Sequence, residues 1–539
     1  MKHVLIIGSG LSGLTCALEL ARQGIRSTLV SPYPSERAQS VMAAGGINAA
    51  LGQDDSPELH ADDTYKSGGS IGGKASIQAL CREAPEIVRW LARLGVVFSR
   101  DEKGEPARRA FGGQSRNRAV YAGASTGKQV MTALFREARK YEANGLITRL
   151  LGRQFYEALI REGTCYGAIL YNERACRLET VYADAVVAAA GGQNALFGKT
   201  TGSTLCDGYV AAKLYEQGAG LKNLEFIQYH PTTVETPHKR MLISEAARGE
   251  GGRLYYLENG RRVYFMEDLY GEKGNLMSRD IVSKCIYDAP SQVYLDIAFL
   301  GEKHIRSRLQ EVAEICRKYA GLDVTRESIP VYPSVHFFMG GLYVDRNHKT
   351  TLDRLYAVGE CASRYHGANR LGGNSLLAAI YSAKVAAKAI AQLEKVESAP
   401  DFAGEVTKQE ETMAARLTSK SRFSAVYIRY EVAKLMNDCL GITRTEEKLQ
   451  EGIQSVDYYL SICQKLMYDS DVSPFVGYSM QPMLLLARAI LTSALARKET
   501  RGAHIRSDYP AREDAFARSS VCRYQAGEHS VSFEEEDAE

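Results

Sequence analysis

Residues 4–13 read VLIIGSGLSG, and this stretch decides the fold. Val4-Leu5-Ile6-Ile7 is an unbroken apolar run, the pattern of a strand buried on both faces. Gly8-Ser9-Gly10-Leu11-Ser12-Gly13 follows at once, and an apolar helix runs on through Leu20. GxGxxG between a strand and a helix is a dinucleotide-binding fingerprint. Gly8 makes the turn, Gly10 lets a pyrophosphate approach the backbone, and Gly13 lets helix and strand pack closely. The next strand, Ser27-Thr28-Leu29-Val30, ends on Ser31 rather than on the acidic residue that binds ribose in NAD sites. The motif therefore predicts an α/β, Rossmann-like nucleotide domain and tells against a simple NAD site.

Further along, glycine pairs recur in AAGGI (43–47) and FGGQS (111–115), each suited to a backbone that comes close to a ligand. AGASTGKQ (122–129) resembles a phosphate loop but fails as one, because Gln129 stands where Ser or Thr is required and the glycine spacing is short. Strand-type segments at 166–170 and 181–188 lead to Gly191-Gly192, and Asp207-Gly208 opens another helix. From Glu225 to about Met339 the character changes to polar turns, Tyr-rich short strands (254–256, 263–265) and amphipathic helices, which reads as an insertion. Leu355-Tyr356-Ala357-Val358 returns to strand type and leads into GECASRYHGANRLGGNSLL (359–377). There Gly367, Gly372 and Gly373 surround Arg370, and the helix after them offers free N–H donors at its start. The expected division is a discontinuous nucleotide domain (1–225 and 340–398), an α+β insertion (226–339) and a helical C-terminal domain (399–539). The last contains helices at 407–421, 427–440, 445–466 and 480–498, and its acidic tail, 534–539, is expected to be disordered.

Composition bounds the function. At 539 residues the chain is long enough for about two to three domains. A net charge of +3, from 67 basic and 64 acidic residues, gives no reason to expect nucleic acid. The 11 cysteines are scattered with no CxxC pair, which argues for reduced thiols and against zinc or an iron–sulfur cluster in this chain; no metal is expected. No uncharged run reaches transmembrane length, and a first strand at His3 leaves no room for a signal peptide. The expected location is the cytoplasm, or the cytoplasmic face of a membrane through a partner.

Taken together, the motifs are specific enough to identify. GSGLSG (8–13), AAGGINAAL (43–51), FGGQS (111–115), QYHPTT (228–233), SEAARGEGG (244–252), GNLMSRD (274–280), HFFMGG (336–341), GECASRYHGANRLGGNSLL (359–377) and ETRGAHIRSDYPARED (499–514) run nearly end to end. In them the chain resembles the flavoprotein family of succinate dehydrogenase, fumarate reductase and L-aspartate oxidase. The resemblance implies FAD, a Rossmann-like FAD-binding domain, a capping domain and a C-terminal helical domain. It also implies a C4-dicarboxylate substrate and an electron-transfer partner, iron–sulfur or other.

By the same resemblance His230, Ser244, His336 and Arg370 hold substrate, Arg279 transfers a proton, and Glu245 and Arg248 relay protons to it. Gly8 to Gly13 (with Ser9, Gly10, Leu11 and Ser12), Ser31, Ser40 and Gly45-Gly46 match the contacts to the nucleotide half of FAD. Asp207 and Glu360 match polar flavin contacts, and Ser375-Leu376 put a helix N-terminus near the flavin ring. Hydride would pass between flavin N5 and one substrate carbon while Arg279 serves the other.

Two positions bear on the branch. Gln39 stands where membrane-complex members carry the histidine that bonds covalently to FAD, and an amide forms no such bond, so noncovalent FAD is expected. Phe111 stands where aspartate oxidases carry a glutamate for the substrate ammonium group, and a phenyl ring offers no counter-charge. The favoured reading is a fumarate reductase or succinate dehydrogenase type flavoprotein, biased toward fumarate reduction because a flavin without the covalent bond has a lower potential. L-aspartate oxidase, making iminoaspartate for NAD biosynthesis, and an electron-carrying flavoprotein subunit inactive without partners remain open at this point. The role of Gln39 has a direct check. Acid or heat denaturation should release all the flavin, leaving no fluorescent protein band on a denaturing gel, and a flavin that stays attached would refute it.

Overall fold

A computed structural model describes residues 1–123, 125–237, 239–417, 423–467 and 473–536. Its centre is a five-stranded, wholly parallel sheet in the order Leu355–Ala357, Ala185–Ala188, His3–Ile7, Arg26–Ser31, Ile147–Leu151. The strand that opens the chain thus lies between one from position 185 and one from position 26, so the sheet is assembled from distant segments. Alternation along the strands divides the interior in two. Leu5, Ile7, Val30, Val186 and Ala188 face one apolar cluster, whereas Val4, Ile6, Leu29, Ala185 and Val187 face the other. The second cluster is filled by helices Leu11–Arg22, Lys74–Arg93, Thr126–Ala143 and Asn374–Ala391. The first meets an antiparallel sheet, Arg153–Arg161, Thr164–Asn172 and Arg177–Tyr182, and the C-terminal helices.

The segment 181–188, read from sequence as one strand, is two. Arg177–Tyr182 belongs to the antiparallel sheet and Ala185–Ala188 to the parallel one. The break falls at buried Asp184, whose carboxylate accepts from the backbone N–H groups of His3 and Val396, each at 2.7 Å.

Between the segments of the nucleotide half, Ile227–Glu235 pairs with Tyr332–Phe338 and Arg240–Leu242. A four-stranded sheet and the helix Arg279–Asp288 complete this region, which has its own apolar cluster of residues such as Val234, Leu254, Val282, Leu295 and Val331.

The C-terminal helices are Ala403–Leu417, Ala425–Cys439, Glu446–Ile462 and Phe475–Ala496; positions 418–421 of the first expected helix lie outside the described residues. Phe475–Ala496 is long and apolar enough to cross a membrane, but most of it is buried in the protein core.

Beyond these helices the chain departs from the sequence expectation. Ser519–Gln525 and Glu528–Glu534 form a hairpin, joined at Ala526 and Gly527, which both have positive φ (51° and 88°), as a two-residue turn of this hand requires. The hairpin extends a sheet with Leu221–Lys222 and Gly341–Tyr343, so the C-terminal part is not wholly helical. Nor is the acidic tail disordered as far as it is described: Glu536 accepts from Lys222 Nζ at 2.9 Å and from Ser519 Oγ at 2.7 Å, with Lys222 only 2% exposed; residues 537–539 lie outside the description. A neutral amide in place of Glu536 would remove one charge of this buried pair. Glu536→Gln should lower stability by about 3 kcal/mol, read as a shift of the urea midpoint; an unchanged midpoint would show the tail to be dispensable.

Candidate active site

One cleft runs between the parallel-sheet domain and the inserted region. Its first wall is glycine-rich: Gly8 to Ser12, Ser31, Ser40, Gly45-Gly46 and Gly191 line it, with Asp207, Glu360 and Ser375-Leu376 further along. Its second wall carries His230, Ser244, Glu245, Arg279 and His336, with Phe111 and Arg370 between. Of the residues singled out in the sequence, two stand behind the surface. Gly13 is a packing position, where a Cβ would meet the Gly8 carbonyl oxygen at 2.0 Å, and Arg248 lies behind Glu245.

The first wall suits a dinucleotide. A Cβ on Gly10 would meet no atom closer than Ser40 Oγ at 3.7 Å, so a side chain there would project into the space a pyrophosphate needs. Ser40 Oγ also accepts from Leu11 N at 3.3 Å, at the start of the first helix. Ser31 Oγ donates to the Tyr33 carbonyl at 2.7 Å. Gln39 Oε1 is buried at the cleft with no hydrogen-bond partner among the described residues. Asp207 accepts from Tyr209 N at 3.0 Å, and burial pushes its carboxyl above the usual range. Glu360 accepts from Phe338 N at 3.2 Å; its enclosure pushes its pKa up to about 7, against the pull of that N–H and of Arg370.

The second wall is built on charge. Glu245, 2% exposed, accepts from Arg279 Nε at 2.9 Å and Nη2 at 2.6 Å, and from Gly112 N at 2.7 Å; Arg248 Nη2 lies 3.5 Å away. Burial alone would raise the Glu245 carboxyl, but Arg279 and Arg248 outweigh it and hold it below the ordinary value. Burial lowers Arg248, with Glu245 opposing, and its Nη1 donates to the Asn275 carbonyl at 2.5 Å.

His230 and His336 sit edge to face, ring centroids 5.1 Å apart, and His336 Nδ1 lies 2.7 Å from Thr201 Oγ1. Burial, reinforced by Arg279, pushes both imidazoles well below 6.5, so both are neutral at neutral pH. Burial and the nearby Arg279 also lower Arg370, whose guanidinium lies over the Phe337 ring, 4.3 Å from its centroid.

Sequence reading missed Gln228 and Asn369. Fully buried Gln228 offers Oε1 to both arginines, and its Nε2 donates to Asn369 Oδ1 and to the Arg370 carbonyl, each at 2.7 Å. The available signal was its place two residues before His230 on one strand, which puts both side chains on one face.

Comparisons with known proteins agree with this geometry. Residues 3–376 match the family described as FAD binding domain, and residues 429–539 match the fumarate reductase flavoprotein C-terminal family. The chain is 35% identical over 565 residues to the succinate dehydrogenase flavoprotein subunit of Bacillus subtilis (strain 168), covering 100% of this chain and 96% of the relative. It is 34% identical over 537 residues to L-aspartate oxidase of Nostoc sp., covering 94% and 90%. A solved quinol–fumarate reductase with menaquinol molecules superposes with a TM-score of 0.91 at 27% identity, over 100% of this chain and 99% of that one. Fold and cleft thus define an FAD-dependent oxidoreductase. The chain belongs to the succinate dehydrogenase and fumarate reductase flavoprotein family, which has L-aspartate oxidase relatives.

The neutral histidines carry a consequence for acid stability. Seven of the ten are held below 6.5 in the fold: His60, His348 and His529 at about 4, His366 at about 3, and His230, His336 and His504 well below. Below 6.5 the unfolded chain takes up protons that the native state refuses, so stability falls as pH falls. The urea midpoint should drop steadily from about pH 6.5 to 4; a flat profile to pH 5 would show these imidazoles already charged in the fold.

Proposed function

We propose that the chain interconverts fumarate and succinate, is biased toward fumarate reduction, and holds FAD without a covalent bond. The observation that carries the reading is Arg279 and Arg370 converging on one amide oxygen opposite His230, His336 and Ser244, in the cleft that the glycine-lined wall completes. A four-carbon dicarboxylate needs donors at both ends, and guanidinium forks suit carboxylates.

Bound FAD supplies hydride exchange at its N5. The chain's own residues do the rest. Arg370, His336, His230 and Ser244 bind and orient the carboxylates, the uncharged imidazoles acting as hydrogen-bond donors. Arg279 holds the proton that passes to or from the substrate carbon. Glu245, on two of its nitrogens, and Arg248 behind form the path that restores that proton. Free guanidinium is a very weak acid, so the role depends on a path that returns the proton at once, and Glu245 with Arg248 supplies it.

Phe111, buried with its ring 3.2 Å from where a Cβ on Gly45 would sit, gives no charge to pair with an ammonium group. This supports a dicarboxylate over aspartate; the Nostoc relative is the observation on the other side. Gln39 lines the cleft, its Oε1 without a partner among the described residues, and an amide there, which forms no bond to flavin, supports noncovalent FAD. Electrons come from a partner, iron–sulfur or other, on the cytoplasmic face of a membrane; the name of the Bacillus relative, a flavoprotein subunit, supports that arrangement.

A panel on purified holoenzyme tests this reading. Fumarate reduction by a reduced dye should outrun succinate oxidation, and both should exceed L-aspartate oxidation. Arg279→Lys should cut turnover roughly a thousandfold while leaving FAD content unchanged and dicarboxylate binding nearly so. Efficient aspartate oxidation without fumarate turnover would reverse the assignment, and a loss confined to binding would make Arg279 an anchor.

A further inference from the structure

Arg279 and Arg370 reach the cleft from different segments, and two like charges in a poorly screened enclosure repel. One atom joins them. Gln228 Oε1 accepts from Arg279 Nη1 at 3.1 Å and from Arg370 Nε and Nη2 at 3.2 and 3.0 Å. Arg279 is also fixed by Glu245, but among the described residues the side-chain hydrogen bonds of Arg370 all go to Gln228.

The other end of the amide fixes its sense. Its Nε2 faces two acceptors, Asn369 Oδ1 and the Arg370 carbonyl, so a flipped amide would set N–H against guanidinium N–H and oxygen against oxygen. Asn369 Nδ2 in turn donates to Asp280 Oδ1 at 2.9 Å. The amide is therefore locked between the cations on one side and a chain of acceptors on the other.

We propose that Gln228 is a positioning residue: its neutral oxygen sets the spacing and planes of Arg279 and Arg370 so that one dicarboxylate engages both. Neutrality matters as much as reach. A carboxylate there would satisfy the two cations and compete with the substrate, whereas an apolar side chain would leave Arg370 untethered. The inference rests on the dicarboxylate reading of the cleft.

The test uses the FAD-loaded protein and malonate, a saturated dicarboxylate it has no means of reducing, with binding read from the flavin absorbance. Gln228→Met should lower kcat for fumarate about a hundredfold and weaken malonate about tenfold. Gln228→Glu, nearly isosteric, should keep its FAD content, lower the urea midpoint because a carboxylate oxygen then faces Asn369 Oδ1 and the Arg370 carbonyl, and weaken malonate about a hundredfold. Malonate binding within about twofold of wild type in Gln228→Glu, or an unchanged kcat in Gln228→Met, would overturn the proposal. So would a loss of fold or FAD with normal binding and turnover in the loaded fraction, which would make Gln228 merely structural. A wild-type protein that neither binds malonate nor reduces fumarate removes the dicarboxylate reading itself, and this inference with it.

Discussion

Glu245 is a carboxylate with almost no contact with water, and the site is arranged around the need to keep it charged. An isolated buried carboxylate would take up a proton, but here two arginines and a backbone N–H hold the charge in place. The arginines come from the inserted region, the N–H from Gly112 of the nucleotide half. The ion cluster therefore fixes Arg279 and also ties the walls of the cleft together. Close approach is part of the device, since a Cβ on Gly112 would stand 2.4 Å from the Met277 carbonyl oxygen and 2.8 Å from Glu245 Oε1.

The same economy governs the strands that carry the histidines. Ile227–Glu235 and Tyr332–Phe338 form one antiparallel pair, and its register shifts between Gln228 and Tyr229, opposite His336. Alternation turns Gln228 and His230 toward the cleft. Tyr229 points the other way, its hydroxyl donating to the Leu440 carbonyl at 2.9 Å in the helical region. One short strand thus joins cleft-facing groups on one side to the C-terminal helices on the other.

Much of this was legible in the chain because it rests on residue types with few alternative uses. Glycines at fixed offsets after a strand, arginines and histidines inside unusual motifs, and a return to strand type after the insertion all marked positions that the structure brings to one cleft. What was not legible depended on partners rather than types. Gln228 and Asn369 look like any polar residues until the arginines are beside them. The closing hairpin was hidden because Ala526 takes a left-handed turn position that its side chain does not advertise. Glu536 reads as part of an acidic tail until Lys222, more than 300 positions earlier, is found next to it. Asp184 breaks a strand only because two N–H groups from elsewhere meet its carboxylate.

Charge balance explains why the remaining polar groups are as they are. Arg279, Arg248 and Arg370 crowd around Glu245, with Glu360 farther along and drawn toward neutrality by its enclosure. Protonated histidines would add further positive charge to this enclosure, and burial, reinforced by Arg279, holds both imidazoles neutral. Neutral imidazoles and a neutral amide oxygen can then shape the site by hydrogen bonds alone. Under the proposed dicarboxylate reading, the excess positive charge would be completed by the ligand, which favours a dianion over an ammonium-bearing acid of similar size.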